Sequence, residues 1–181
     1  MQYTFKVGIV TISDTRSANA LHSDQSGDSI ESIITNEGYC VIFRKTISDD
    51  VDLISKTLME GADEGEVDLI ITTGGTGLAP RDVTPEATQK VLDIEIPGLG
   101  EAMRMGTFEK TNMSILSRAT GGIRSGCLII NLPGSPKGVQ ECLNVVVGSI
   151  HHALEMIRAV SYTHLRAHET EADLVCRLLL E

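Results

Sequence analysis

Blocks of apolar residues alternate with helical repeats along the first half of the chain. Uninterrupted apolar blocks are typical of strands buried on both faces of a sheet, and they predict strands over 5–12, 39–46 and 67–72. Between and after them, apolar residues recur at helical spacing and predict helices over 28–37 and 51–59. This β-α-β-α-β order with short connections predicts a parallel sheet with right-handed crossovers.

The second half of the chain carries shorter patterns that complete a single α/β domain. Helices are predicted over 85–92, 99–107 and 139–160. Two strands, over 115–120 and 126–132, are predicted on either side of a turn at Gly121-Gly122. The second of these strands is apolar throughout, so we expect it to lie near the centre of the sheet.

The last stretch, residues 161–181, differs in character from the rest of the chain. It contains no glycine or proline, and the predicted fold is already complete at Val160. Two interpretations stay open: the stretch extends the last helix, or it is foreign sequence such as read-through of adapter or vector. We expect residues 1–160 to form the functional domain and the tail to lie outside it.

The stretch richest in candidate chemistry directly follows the third predicted strand. It consists of Thr73, Gly74, Gly75, Thr76 and Gly77. Glycines let the backbone turn sharply and bring N–H groups to phosphate oxygens without obstruction by a Cβ. Thr84 is expected to cap the following helix, with Pro85 in its first turn. The loop is neither a Walker A motif nor a G-x-G-x-x-G dinucleotide fingerprint, so it predicts phosphate binding without naming the ligand.

Acidic residues are expected to converge on this glycine loop. Arg81 and Asp82 form either a surface salt bridge or a phosphate-binding cation beside a magnesium ligand. Asp14 ends the first strand, and Asp49 and Asp50 follow the second. For each of the latter two, the alternative to a role in the site is that it is no more than a helix N-cap. The carboxyl ends of parallel strands share one edge of a sheet. Carboxylates beside a phosphate there require a metal between them.

Composition narrows the class of protein. A chain of 181 residues fits one domain, and its net charge of −10 argues against a general nucleic-acid binder, which carries a basic face. No apolar run approaches the ~20 residues that cross a bilayer, and the N-terminal segment predicts a strand rather than a signal peptide. The cysteines lack C-x-x-C spacing, and Cys40, Cys127 and Cys142 lie in apolar segments. They indicate reduced, packed thiols in a cytoplasmic protein.

Five motifs occur in order along the chain: TTGGTG, RDVTPEA, PGLGEAMR, LSRATGGIR and NLPGSPKG. Together they resemble the MogA/MoaB-type molybdenum cofactor biosynthesis proteins, with the adenylyltransferase branch closest, from about residue 6 to residue 160. The resemblance implies a three-layer α/β sandwich with a mostly parallel central sheet. It also implies assembly as a homotrimer, or as a hexamer on the MoaB side of the family.

The activity implied by this resemblance is Mg²⁺-dependent transfer of AMP from ATP to the terminal phosphate of molybdopterin. The product, adenylyl-molybdopterin, would pass to a partner enzyme that inserts molybdate. The two essential acids of the family fall on Asp49 and Asp82, which we expect to be catalytic and to hold Mg²⁺. Ser13-Asp14 matches a pattern at the family's active site. Further pocket residues are expected at Ser117, Arg118, Pro133, Gly134, Ser135 and Lys137.

Two other interpretations of the function stay open. A member of the MoaB type binds molybdopterin, or carries it to a partner, without adenylylating it. A purely structural module would use its glycine turns for close packing alone, and ligands would then not raise its melting temperature.

Overall fold

The structure is a computed structural model that describes residues 3–18 and 23–178, with side chains in these ranges as far as residue 159. Within them, six strands form one sheet: β1 (Lys6–Ile12), β2 (Cys40–Ile47), β3 (Leu69–Thr73), β4 (Ile94–Glu95), β5 (Gly121–Arg124) and β6 (Cys127–Leu132). The α-helices are α1 (Asp14–Ala18), α2 (Gln25–Asn36), α3 (Val51–Asp63), α4 (Thr84–Gln89), α5 (Pro97–Thr107) and α6 (Pro136–Leu178). A 3-10 helix spans Asn112–Leu116.

The sheet is mostly parallel, as predicted. Its strand order is β2-β1-β3-β6-β5-β4. The first four of these strands run parallel to one another, whereas β5 is antiparallel to both β6 and β4. The parallel strands β1, β2 and β3 are joined through helices, because a parallel pair needs a long crossover. The strand predicted to be central, β6, lies between β3 and β5.

Helices cover both faces of this sheet, which confirms the three-layer α/β architecture. Strand residues alternate between two apolar cores, as the two-residue period of a strand requires. Leu69 and Ile71 pack in a core with residues of α2, α5 and α6, including Leu143. Ile70 packs in the other core, with residues of α3 and α4 that include Ile54. All of these side chains are fully buried.

The strand predicted over 115–120 was wrong. Its first residues lie in the 3-10 helix, where the Thr111 hydroxyl accepts from the Met113 N–H (3.4 Å). The glycines expected to form a turn instead lie in β5. Glycine is needed at 121 because a Cβ there would come within 2.8 Å of the Ile129 carbonyl oxygen. The turn between β5 and β6 falls at Ser125-Gly126, where both residues have positive φ.

Several helix boundaries also differ from the prediction. The helix expected from residue 28 begins at Gln25, because the Asp24 side chain caps it by accepting from the Gly27 N–H (3.0 Å). The helix expected to end at 92 ends at Gln89, and the short strand β4 follows.

The last helix continues to Leu178, so the backbone of the tail extends α6. Side chains from residue 160 onwards lie outside the described residues, and the foreign origin of the tail stays a prediction. Two of the three cysteines in the described side chains are buried, whereas Cys40 is exposed, so its predicted packing was wrong. None of the helices in the described part of the chain combines the length and apolar character needed to cross a membrane.

Candidate active site

Four parallel strands end side by side and place their following loops at one edge of the sheet, here called the carboxyl edge. Ile12 at the end of β1 pairs with Ile47 at the end of β2. Thr73 at the end of β3 pairs with Leu132 at the end of β6. The segments that begin at residues 13, 48, 74 and 133 therefore meet at this edge, as predicted for the Asp14, Asp49 and glycine-loop positions.

Asp14 and Asp49 hold each other through reciprocal backbone contacts. The Asp14 N–H donates to Asp49 Oδ2 (2.9 Å), and the Asp49 N–H donates to Asp14 Oδ1 (3.1 Å). The helix N-cap is the neighbouring Asp50, which accepts from the Leu53 N–H (2.8 Å). Asp49 is therefore not needed as a cap. Arg81 forms its ion pair with Asp14, so the surface salt bridge between Arg81 and Asp82, one of the two alternatives, is not formed.

The pKa of Asp49 is raised from its ordinary value. Burial is the largest cause, and the negative charges of Asp14 and Asp82 act in the same direction. The hydrogen bond from the Asp14 N–H and the positive charge of Arg81 oppose this change without cancelling it. Three carboxylates are thus close enough to influence one another, which is an arrangement that a bound cation would relieve.

The glycine loop requires glycine for steric reasons. Gly74 has a φ of +103°, and a Cβ there would lie 2.2 Å from the Ile12 carbonyl oxygen. Gly75 has a φ of +62°, and its Cβ would lie 2.3 Å from Thr84 Oγ1. Thr84 is the first residue of α4 and does not cap it, contrary to expectation. Its hydroxyl instead donates to the Gly74 carbonyl (2.8 Å) and closes the base of the loop.

The loop presents unpaired backbone donors. The Gly74 N–H donates to the Leu132 carbonyl (3.2 Å) and so belongs to the sheet. Within the described ranges, the N–H groups of Gly75, Thr76 and Gly77 donate to no protein oxygen. Since buried or half-buried N–H groups are normally paired, these three are available to a ligand.

Asp49 and Asp82 approach the loop from two positions. Asp49 Oδ1 lies 3.1 Å from where a Cβ on Gly75 would stand, and Asp82 Oδ2 lies 2.8 Å from the corresponding point at Gly77. Each carboxylate has one oxygen fixed by a backbone N–H: Oδ2 of Asp49 accepts from Asp14, and Oδ2 of Asp82 accepts from Ala79 (2.8 Å). The two acids therefore flank the loop in fixed orientations, each with Oδ1 remaining.

A cleft of about 530 Å³ opens beside the loop. The glycine loop with Asp82 contributes one part of its lining, and the second glycine turn, residues 133–135, contributes another. A third part, here called the Ser117 segment, comprises Met113, Leu116 and Ser117. A smaller cavity of about 190 Å³ shares Ser117 and Ser135 with the cleft. A lining that combines apolar and polar groups suits a flat heterocycle bearing phosphate groups.

The expected site residues fall into three groups. Those that line the cleft are Gly75, Thr76, Gly77, Asp82, Ser117, Pro133, Gly134 and Ser135. Those that lie farther along the carboxyl edge, at the ends of β1 and β2 or paired with them, are Ser13, Asp14, Asp49 and Arg81. Those that the structure does not place in the lining are Thr73, Gly74, Arg118 and Lys137.

The side chains of two members of the last group bond to other parts of the protein. Thr73 is buried, and its hydroxyl donates to the Pro133 carbonyl (2.6 Å), which joins the first glycine turn to the second. Arg118 donates to the glycine loop. The second turn is also held from α2, where the buried Ser26 hydroxyl donates to the Gly134 carbonyl (2.8 Å).

The prediction missed the apolar rim of the cleft. Leu78, Met113 and Leu116 line it and are exposed. Met113 carried no signal because the segment around it has no clear period, and Leu116 was assigned to a strand that does not exist. Leu78 could have been predicted, because it directly follows Gly77 in a loop that was expected to bind ligand.

The fold and the site define a class of protein. Its members are α/β sandwiches whose carboxyl edge combines a glycine loop with unpaired N–H groups and two oriented carboxylates. Residues 8–152 match the family described as "Probable molybdopterin binding domain", and the chain belongs to this family.

Known relatives agree with this assignment. The molybdopterin adenylyltransferase of Helicobacter pylori is 41% identical over 158 residues, covering 85% of this chain and 88% of the relative. The crystal structure of the molybdopterin biosynthesis enzyme MoaB from Thermus thermophilus is 44% identical, with a TM-score of 0.79 and coverage of 85% and 96%. The molybdopterin biosynthesis Mog protein from Mycobacterium ulcerans is 38% identical, with a TM-score of 0.79 and coverage of 85% and 99%.

Proposed function

We propose that this protein transfers AMP from ATP to the terminal phosphate of molybdopterin and releases pyrophosphate. The observation that carries the proposal is the pair Asp49 and Asp82 on either side of a loop with three unpaired N–H groups. The proposal is supported by the 41% identity to a molybdopterin adenylyltransferase over most of both chains.

The donor set fits Mg²⁺. Mg²⁺ is usually held by one or two carboxylates together with substrate phosphates and water, rather than by a protein-only cage. In the described part of the chain, no group of three or more His, Cys, Asp and Glu side chains is arranged to hold a metal ion. Asp49 and Asp82 would hold the ion. The bound cation would neutralise charge on the reacting phosphates and relieve the mutual repulsion of the carboxylates.

The rest of the chemistry follows from positioning. The N–H groups of Gly75, Thr76 and Gly77 would hold phosphate oxygens, and Arg81, whose side chain is exposed, would add positive charge. An oxygen of the molybdopterin phosphate forms a bond to the α-phosphorus of ATP, while the bond from that phosphorus to the bridging oxygen breaks. Pyrophosphate leaves with the bonding electron pair, so no covalent enzyme intermediate is needed. The protein contributes alignment and electrostatic stabilisation.

We further propose that the protein acts in the cytoplasm as a homotrimer and passes its product to a molybdate-inserting enzyme. Exposed apolar side chains along and near α5 support self-association, because such surface is unfavourable in water. They are Met105, Phe108, Ile115 and Val145. Light scattering on the purified protein should give about three times the 19.5 kDa chain mass; a monomer would contradict the proposal.

The decisive experiment measures pyrophosphate release from ATP in the presence of molybdopterin and Mg²⁺. Asp49→Asn and Asp82→Asn should each lower kcat by roughly 100-fold or more, because each removes a negative charge that would hold Mg²⁺ at the reacting phosphates. Asp52→Asn is the matched control, since Asp52 is an exposed carboxylate whose ion-pair partner in the described part of the chain is the surface residue Lys90. Removal of Mg²⁺ by a chelator should abolish turnover reversibly.

The assay also separates the competing interpretations. Wild-type activity in both active-site variants would refute the assignment of Asp49 and Asp82. Molybdopterin binding without pyrophosphate release by the wild-type protein would instead identify a carrier of the MoaB type. The absence of any rise in melting temperature with ATP or molybdopterin would favour a structural module.

A further inference from the structure

Arg118 makes an unusual set of contacts with a single loop. Each of its three guanidinium nitrogens donates to a protein oxygen: Nε to the Gly77 carbonyl (2.7 Å), Nη2 to the Asp82 carbonyl and Nη1 to the Glu86 carboxylate. Its backbone N–H donates to the Thr76 carbonyl (2.9 Å). All four acceptors lie in the continuous segment that runs from the glycine loop through Asp82 to the start of α4. The residue therefore contacts the loop at its beginning, at Asp82 and just beyond.

The loop has few hydrogen bonds of its own. Its base is closed by Thr84, through the side chain to Gly74 and through the N–H to the Gly75 carbonyl (3.1 Å). Its crest contains one local turn, in which Ala79 and Asp82 exchange two hydrogen bonds of 2.8 and 2.9 Å. Nothing else among the described hydrogen bonds connects residues 76–82 to the body of the protein except Arg118 and the contact of Arg81 with Asp14. Arg118 is thus hydrogen-bonded directly to Asp82, and the Arg81–Asp14 contact holds the neighbouring residue.

Arg118 is also attached to the Ser117 segment of the cleft lining, because it directly follows Ser117. That segment is itself anchored to α5, because Arg104 Nη1 donates to the carbonyls of Ser117 and Ala119 (both 3.1 Å). The guanidinium of Arg118 therefore joins two segments that both line the cleft, and the fixed fork of its donors makes that junction rigid.

We propose that Arg118 is a positioning residue that holds the glycine loop against the Ser117 segment and so fixes the place of Asp82. It is not a ligand for substrate phosphate, because its guanidinium nitrogens are committed to the protein and the residue does not line the cleft. Arg81 and Lys137 are cations with exposed side chains at this edge. The inference rests on the proposed adenylyl transfer only for its kinetic readout, since its structural readout needs no substrate.

The test compares Arg118→Met with Arg124→Met. Arg124 is a matched control because its guanidinium likewise joins two segments, by donating to the Asp63 carboxylate and to the Val91 carbonyl (2.8 Å). It lies at the other end of the sheet, where β5 turns into β6. Both variants should lose some stability. Only Arg118→Met should release the glycine loop.

Hydrogen–deuterium exchange in the substrate-free protein is the first measurement. The Ala79 and Asp82 amides are protected only while the local turn holds, so exchange in peptides spanning 76–84 should rise about tenfold or more in Arg118→Met. The same peptides should be unchanged in Arg124→Met. Arg118→Lys keeps the charge but cannot reproduce the forked contacts, so we expect an intermediate rise. If Arg118→Met fails to fold, Arg118→Lys serves as the test variant in its place.

Kinetics is the second measurement. Misplacement of Asp82 should lower kcat by roughly 100-fold in Arg118→Met, with a much smaller change in the KM for ATP. Unchanged loop exchange together with a large rise in that KM would overturn the proposal and make Arg118 a phosphate ligand. If the wild-type protein shows no adenylylation at all, the proposed function fails, but increased loop exchange in Arg118→Met would still support the positioning role.

Discussion

The bond between the two glycine turns offers a quantitative test of how the site is held together. Replacing Thr73 by Val keeps the shape of the side chain and removes the hydroxyl that donates to the Pro133 carbonyl (2.6 Å). Thr73 is only 1% exposed, whereas the residue that carries the acceptor, Pro133, is half-buried and lines the cleft. Leaving a buried carbonyl without a partner costs about 1–3 kcal/mol, and water from the cleft would bring the cost at Pro133 towards the lower end. The added methyl group returns up to about 0.8 kcal/mol, so the net loss should be roughly 0.2–2 kcal/mol.

Thr57→Val provides the matched comparison. Thr57 is also buried, at 5% exposure, and its hydroxyl donates to the Leu53 carbonyl (2.8 Å) one turn earlier in α3. That carbonyl already accepts the helical N–H of the same turn, so removing the hydroxyl leaves no unpaired group. We expect Thr57→Val to change the free energy of unfolding by less than about 0.5 kcal/mol, within the range typical of substitutions away from critical contacts.

Urea unfolding followed by circular dichroism measures both variants, with thermal unfolding as a second readout. For a chain of this length each kcal/mol corresponds to roughly 2–4 °C in Tm. A destabilisation of Thr73→Val that is no larger than that of Thr57→Val would refute the reasoning. It would mean that the Pro133 carbonyl finds another donor when the hydroxyl is removed.

Two further substitutions test the loop and its surroundings. Gly75→Ala combines positive-φ strain with a clash at Thr84 Oγ1, whereas Gly65→Ala has similar strain (φ +70°) and nothing within 4 Å of the added Cβ. Calorimetry should show Gly75→Ala to be less stable than Gly65→Ala by about 1 kcal/mol or more. Equal losses of stability in the two variants would contradict the steric argument. Burial tends to raise the pKa of Asp24, but hydrogen bonds from a hydroxyl, an N–H and Arg44 outweigh it and lower the pKa below 3.8. The carboxylate therefore contributes stability that is present above pH 3.8 and lost as pH falls through the lower folded value. Asp24→Asn should be less stable than wild type at neutral pH, with the difference shrinking in acid; a difference independent of pH would contradict this.

The parts of the fold that depend on apolar periodicity were predictable. Strands such as β3 and β6 are buried on both faces, so their continuous apolar sequence distinguishes them from half-exposed strands. The parallel order then places every following loop at one edge. This is why Asp14, Asp49 and Asp82 could be assigned to a common site from a sequence in which the first and last are far apart.

What could not be predicted depends on long-range contacts. The sequence contains both Arg81-Asp82 and Asp14, and only the fold shows that Arg81 pairs with Asp14. Arg118 lies in a motif expected to bind ligand, yet its acceptors are mostly backbone carbonyls, which have no sequence signature. The segment around Met113 has no periodic pattern, so the 3-10 helix there was not predicted, and its last two residues were assigned to a strand.

The Ser26–Gly134 hydrogen bond has a consequence for how the protein is made. It joins residues 108 positions apart, and Gly134 follows a strand that is inserted between β3 and β5. The second glycine turn is therefore synthesised long after the glycine loop, and the carboxyl edge of the sheet is incomplete until β6 has left the ribosome. Because loop closure over such distances slows folding, we expect the site to form as one of the last events of folding. Substrate can then stabilise only the finished domain and cannot rescue a chain truncated before residue 134.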